Sequence, residues 1–117
     1  MEPIAQNALT EVIEQMWVKF LPQMMERVAE LESADTALAE GTLTIEQRVA
    51  ANSAAHKLAG VLGTFGLTKG TILAREAEMI YSAEPETNPD AAAQLKSITG
   101  RLRMLIESRK HDSPMPL

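Results

Sequence analysis

The reactive chemistry of this chain is concentrated at one residue. The sequence has two histidines and no cysteine, which excludes disulfides, thiolate metal sites and cysteine nucleophiles. His111 opens a linker-like stretch, His111-Asp112-Ser113-Pro114-Met115-Pro116-Leu117, and is assigned no role. His56 lies in Ala54-Ala55-His56-Lys57-Leu58-Ala59-Gly60-Val61-Leu62-Gly63-Thr64-Phe65-Gly66-Leu67. On a helix turning about 100° per residue, Ala51, Ala54, Leu58, Val61, Leu62 and Phe65 gather into one apolar stripe, and His56 points away from it. Its neighbours three, four and seven positions away are Asn52, Ser53, Ala59, Gly60, Gly63 and Val49, all small except the last. A glycine inside a helix costs about 1 kcal/mol relative to alanine, so two of them after His56 need a reason. Either another helix packs closely there or a partner's backbone approaches the imidazole. Because this face is opposite the stripe, the partner is the expectation.

An imidazole is largely neutral at pH 7 and its outward nitrogen is a competent nucleophile. Metal binding would need further ligands one turn away, and Asn52, Ser53, Ala59 and Gly60 supply no imidazole, carboxylate or thiolate. Acyl transfer would need a nucleophile to activate and an orienting carboxylate, neither evident nearby. Phosphoryl transfer onto the histidine itself needs only the imidazole, provided the partner brings the metal, the donor and the charge stabilisation. A solitary helical histidine is ordinarily a plain surface residue; the two glycines tilt this one towards function. The methionines at 16, 24, 25, 79 and 104 are expected to fill the core. Trp17 is expected to anchor packing near Phe20.

The elements that must hold His56 are helices. Apolar residues at Leu9, Val12, Ile13, Met16, Phe20, Met24, Val28, Leu31 and Leu38 follow three- and four-residue steps and define a long first helix, kinked or split near Pro22. Gly41-Thr42 ends it, and Thr44 with Gln47 forms a capping box for a second helix over about 45–65, stopped by Gly66. Thr68 is the expected cap of a third helix reaching Ser82, with Ile72, Leu73, Ala77 and Ile80 inward. Asn88 as N-cap and Pro89 at the first helical position start a fourth. Its stripe is Leu95, Ile98, Leu102, Leu105 and Ile106, and Ser108, Arg109 and Lys110 close it with positive charge. The expectation is an all-α, antiparallel four-helix bundle over residues 1–110, followed by a flexible tail or linker at 111–117.

Composition narrows the partners. Of 117 residues, 11 are Lys or Arg and 16 are Asp or Glu, for a net charge of −5, the wrong balance for nonspecific nucleic-acid binding. No secretory signal and no membrane-length apolar run is present, so a cytoplasmic protein without membrane contact is expected. A single stripe per helix leaves little room for a small-molecule substrate pocket. No phosphate loop and no acidic cluster for Mg²⁺ is present, so neither ATP binding nor autophosphorylation is expected, and no cofactor.

The segment resembles the histidine phosphotransfer (HPt) domain of multistep two-component phosphorelays. The matching residues are His56, Leu58, Gly60, Gly63 and Gly66, followed by a helix through Leu73-Ala74-Arg75-Glu76-Ala77-Glu78. The resemblance implies a four-helix bundle carrying a phosphoryl group on Nε2 of His56, exchanged with the aspartate of a receiver domain whose own Mg²⁺ serves the reaction, with a hybrid sensor kinase as a further partner. Where the family ordinarily has lysine three residues after the histidine, this chain has Ala59. Lys57, and secondarily Arg75, are the cations left to meet the phosphoryl oxygens. Asn52, Ser53, Ala59, Gly60, Gly63 and Thr64 make the expected docking face. The alternative is an adaptor bundle or pseudo-HPt domain that binds a receiver or other partner without phosphotransfer.

Overall fold

The computed structural model describes residues 3–111, with side chains over 8–109. It has four α-helices, α1 (Pro3–Glu40), α2 (Ile45–Thr64), α3 (Thr68–Ser82) and α4 (Ala91–His111), with a 3₁₀ turn at Pro85–Thr87. Among the described residues there is no strand. Each helix packs on its two neighbours in the ring α1, α2, α3, α4, the four-helix bundle anticipated from the periodicity. His111 is the last residue of α4. Residues 112–117 of the expected tail, and the Lys110 side chain expected to help close α4, lie outside the described residues.

The first segment is one helix that runs through Pro22 and does not divide. Proline cannot donate to the carbonyl four residues earlier, here Val18. Both Pro22 and Val18 are exposed, so water can satisfy that carbonyl and relieve part of the cost. At 1.5 Å per residue α1 is about 57 Å long and α2 about 30 Å; the molecule's long axis is 56 Å. The Trp17 and Phe20 rings meet Phe65, the residue that caps the end of α2, edge-on at centroid distances of 5.1 and 6.4 Å. The turns before Trp17 therefore project past the end of α2. This corrects the expected core: Leu9, Val12, Ile13 and Met16 are exposed by 61, 50, 38 and 37%. Periodicity names the face of a helix, but not whether a neighbour is long enough to cover it.

The buried core is Met24, Val28, Leu31 and Ala34 from α1, Ala51, Ala54, Ala55, Leu58, Ala59 and Leu62 from α2, Leu73, Ala74, Ala77 and Tyr81 from α3, and Leu95, Ile98, Leu102 and Ile106 from α4, with Trp17 at one end. Of the inward residues expected on α3, Ile72 is 55% exposed, and of the methionines expected inside, Met79 and Met104 are exposed. Small residues dominate the α2–α3 seam. A Cβ on the buried Gly70 would come within 2.9 Å of Leu62 Cδ1, so this glycine permits the close approach of the two helices.

The helix ends match the expectations in part. Thr44 and Gln47 form the reciprocal capping box. At the other end of α2, Gly66 has φ +75°; its N–H reaches the Gly63 carbonyl and the Leu67 N–H the Leu62 carbonyl, the Schellman pattern. Thr68 does not cap α3: it is the first helical residue, Leu67 stands at the cap, and no side chain caps the turn. Asn88 and Pro89 do not start α4 directly either. The Asn88 side-chain oxygen accepts the Asp90 N–H in an Asx turn, and the helix begins at Ala91.

One polar cluster is buried in the bundle. The Asp35 carboxylate of α1, 6% exposed, accepts Tyr81 OH of α3 at 2.5 Å and Thr99 Oγ1 of α4 at 2.7 Å. Three helices are thereby fixed in register. Burial pushes the Asp35 carboxyl above its ordinary range despite the two hydrogen bonds. One turn earlier, the Arg103 guanidinium grips Glu32 through two bonds of 2.7 and 2.8 Å and holds that carboxyl below its ordinary range. The two carboxylates then act on stability with opposite sign. A carboxyl whose folded pKa is raised binds more protons folded than unfolded, so Asp35 destabilises progressively as pH rises from about 4 through its folded value. Glu32 stabilises above about 4 and loses that contribution as pH falls through its lowered folded value. In thermal unfolding measured across pH, wild type is expected to lose stability relative to Asp35→Asn as pH climbs from 4, and a constant difference would contradict this.

Candidate functional site

His56 stands on the middle of α2, on the face opposite Leu58 and Leu62, with its side chain 73% exposed. Its Nδ1 lies 2.8 Å from Glu78 Oε2 on α3. A carboxylate accepts, so Nδ1 carries the proton of this hydrogen bond and Nε2 is left with its lone pair towards solvent. Glu78 is held in turn. The Asn52 side-chain NH₂ donates to the Glu78 backbone carbonyl at 2.9 Å and to Ser82 Oγ at 2.7 Å, tying α3 to α2 one turn before His56. On the other side of His56, Thr71 Oγ1 donates to the Ala59 carbonyl at 3.1 Å. The ring is thus oriented by a second helix that is itself pinned above and below it.

The expected docking face divides on inspection. Gly60 and Thr64 are exposed beside His56, with the Thr64 hydroxyl turned back on the Gly60 carbonyl at 3.1 Å. Ser53 is half-buried. Asn52 is engaged in tying the helices together. Ala59 is 4% exposed and faces α3, which places it in the core and explains a small residue there: a long side chain would collide with the seam. The two glycines have different reasons. A Cβ at Gly60 would meet nothing within 4 Å, whereas at Gly63 it would lie 3.3 Å from Thr71 Oγ1. Gly63 is therefore explained by helix packing within the chain, and Gly60 is not. Gly60→Leu is expected to raise the thermal midpoint by a few degrees, because it replaces an unhindered glycine inside a helix, while Gly63→Leu, by displacing Thr71, is expected to lower it. Equal midpoints for the two variants would contradict this division.

Neither Lys57 nor Arg75 is held by an ion pair or hydrogen bond among those seen for the described residues, and both are exposed. Lys57 leaves α2 about 100° round from His56, on the side away from α3. Arg75 is on α3, between Thr71, which pairs with Ala59, and Glu78, which pairs with His56. That interval sets it level with the turn of α2 that carries His56. Glu78 was not singled out by the sequence reading; its signal was the hairpin itself, considered below. Among the described residues no group of three or more His, Asp or Glu side chains could hold a metal ion. A cleft of about 450 Å³ between α1 and α4, lined by Glu32, Asp35 and Lys96 among others, does not include His56.

The site is thus one oriented imidazole on an open helix face of a four-helix bundle. A model of the Hpt domain family matches residues 15–109, and the chain belongs to that family. It is also similar to Protein RcaC of Microchaete diplosiphon, 30% identical over 103 residues, which cover 88% of this chain and 16% of that protein. The chain thus spans about a sixth of its curated relative. No solved structure matches it. No helix among the described residues is long and apolar enough to cross a membrane.

Proposed function

We propose that this domain is a phosphorelay carrier in which Nε2 of His56 accepts a phosphoryl group from the aspartyl phosphate of a receiver domain and returns it to the aspartate of the same or another receiver. The observation that carries this reading is the exposed ring with Nδ1 engaged by Glu78. In the transfer, the Nε2 lone pair forms a bond to phosphorus as the bond from phosphorus to the aspartate oxygen breaks, and the carboxylate departs with that electron pair. The Nδ1 proton stays between ring and Glu78, whose negative charge offsets the positive charge developing on the imidazole. No side chain of this chain needs to abstract a proton.

The counter-charge for the phosphoryl oxygens comes from Arg75. Position 59, where a lysine would reach them in the family pattern, is buried against α3, and Arg75 lies level with His56 on that same side. Lys57 departs on the opposite side and is the weaker candidate. Mg²⁺ belongs to the receiver, and the chain itself carries the group without binding ATP or acting as a kinase. A hybrid sensor kinase upstream and a cytoplasmic setting complete the proposal. The test is incubation with a phosphorylated receiver, followed by mapping of the label: acid-labile, alkali-stable phosphate on His56 is the expected result, and label elsewhere or none overturns it.

A further inference from the structure

Four residues form a closed polar frame across the α2–α3 seam. Asn52 and His56 stand one turn apart on α2, and Glu78 and Ser82 one turn apart on α3. The Glu78 carboxylate meets the ring, and the Glu78 backbone carbonyl meets Asn52. A carbonyl only accepts, so the Asn52 amide must turn its NH₂ group towards α3. Ser82 Oγ spends its own hydrogen on that same carbonyl at 2.9 Å, which leaves its oxygen to accept the second Asn52 hydrogen. Both amide hydrogens are therefore used inside the frame. None remains for a phosphoryl oxygen or a partner, although Asn52 shares the outer face of α2 with His56 and reads in the sequence as a docking residue.

We infer that Asn52 is a positioning residue for phosphoryl transfer: by holding the Glu78 backbone it keeps the carboxylate on Nδ1 and so keeps Nε2 aimed at the incoming phosphorus. The inference rests on the phosphorelay reading above and extends it to a side chain whose hydrogens do not reach the ring. Glu78 stands one turn from the end of α3, where a helix frays, and the segment beyond turns away at once, with Glu84 in the left-handed region at φ 57°. On the other side of His56 the seam has a second hold, because Gly70 lets α3 pack directly on Leu62 next to the Thr71 tie. The backbone beneath Glu78 is thus held from α2 by hydrogen bonds of Asn52. In-line attack tolerates little drift, since a misplacement of about 1 Å can cost on the order of 100-fold in rate.

The experiment compares Asn52→Ala and Asn52→Leu with wild type, with Glu78→Ala and with the double variant Asn52→Ala/Glu78→Ala. Leucine keeps the branching and approximate size of asparagine but donates nothing, so bulk is separated from hydrogen bonding. At saturating phosphorylated receiver both Asn52 variants are expected to transfer about tenfold more slowly, with the half-saturating receiver concentration within twofold of wild type. In the Glu78→Ala background the Asn52→Ala change is expected to alter the rate by less than twofold, because the group it positions is gone. In the isolated chain, the ring nitrogen shifts of both Asn52 variants are expected to move from the Nδ1-protonated tautomer towards a mixture. The inference is overturned if Asn52→Leu transfers like wild type, if the loss is as large without Glu78 as with it, if the half-saturating concentration rises while the rate holds, or if the tautomer is unaltered. Failure of the phosphorelay reading is distinguishable: His56→Gln would then take up label from the receiver as wild type does, whereas the tautomer measurement needs no receiver.

Discussion

His56→Gln is expected to take up no phosphoryl group from a phosphorylated receiver while keeping a folding stability within about 1 kcal/mol of wild type. Glutamine preserves the polarity and approximate length of the side chain but supplies no nucleophilic nitrogen. The imidazole is 73% exposed and its contact with Glu78 is a surface hydrogen bond, so its removal leaves no buried group unsatisfied. Transfer followed by radiolabel and unfolding followed by circular dichroism give the two halves of the result. Residual labelling above a few per cent of wild type would show that another residue accepts phosphate. A large loss of stability would show that His56 holds the fold together rather than serving on its surface.

The second large effect is expected at Glu78. Removing the partner of a reactive imidazole frees the ring to rotate and to place its proton on either nitrogen; for histidines oriented as metal ligands the loss of such a partner costs about 10- to 100-fold. Glu78→Ala is therefore expected to slow transfer from the receiver by about that factor, with little change in stability. Glu78→Gln should recover most of the loss of orientation, because its amide oxygen still accepts from Nδ1, but not the charge compensation. Nitrogen chemical shifts of the ring provide a readout that a merely structural role would not move: wild type is expected to be the Nδ1-protonated tautomer, and the alanine variant a mixture. Equal transfer rates in wild type and Glu78→Ala would remove the orienting role.

Much of this arrangement was legible in the sequence, and the parts that were not share a physical cause. The outward direction of His56, the capping box at Thr44 and the glycine stop at Gly66 are local properties of one helix, fixed by residues a turn or so apart. What a neighbour covers is not local. Leu9 to Met16 carry a core pattern because no sequence rule states where α2 ends relative to α1. Ala59 looks like surface until α3 is laid beside it, and Gly63, though exposed, has no room for a side chain because of Thr71 on α3. Glu78 was nonetheless within reach. Two antiparallel helices joined by a tight turn pair residues roughly equidistant from it, and His56 and Glu78 stand ten residues before and twelve after Gly66. Asn52 with Ser82, and Leu62 with Gly70, obey the same reflection. Applied to the sequence, it would have nominated the Glu76 to Glu78 turn as the partner of the imidazole.

The chain's one tryptophan offers an optical consequence. Trp17 is 2% exposed, closed between Phe65 and the Arg109 guanidinium, at the junction where α1 leaves the shelter of α2. Its fluorescence should therefore respond to any separation of α1 from the end of α2 and remain silent to bond making at the distant imidazole. Emission followed through thermal unfolding beside circular dichroism would then show whether this junction opens before the helices melt, with no dye attached.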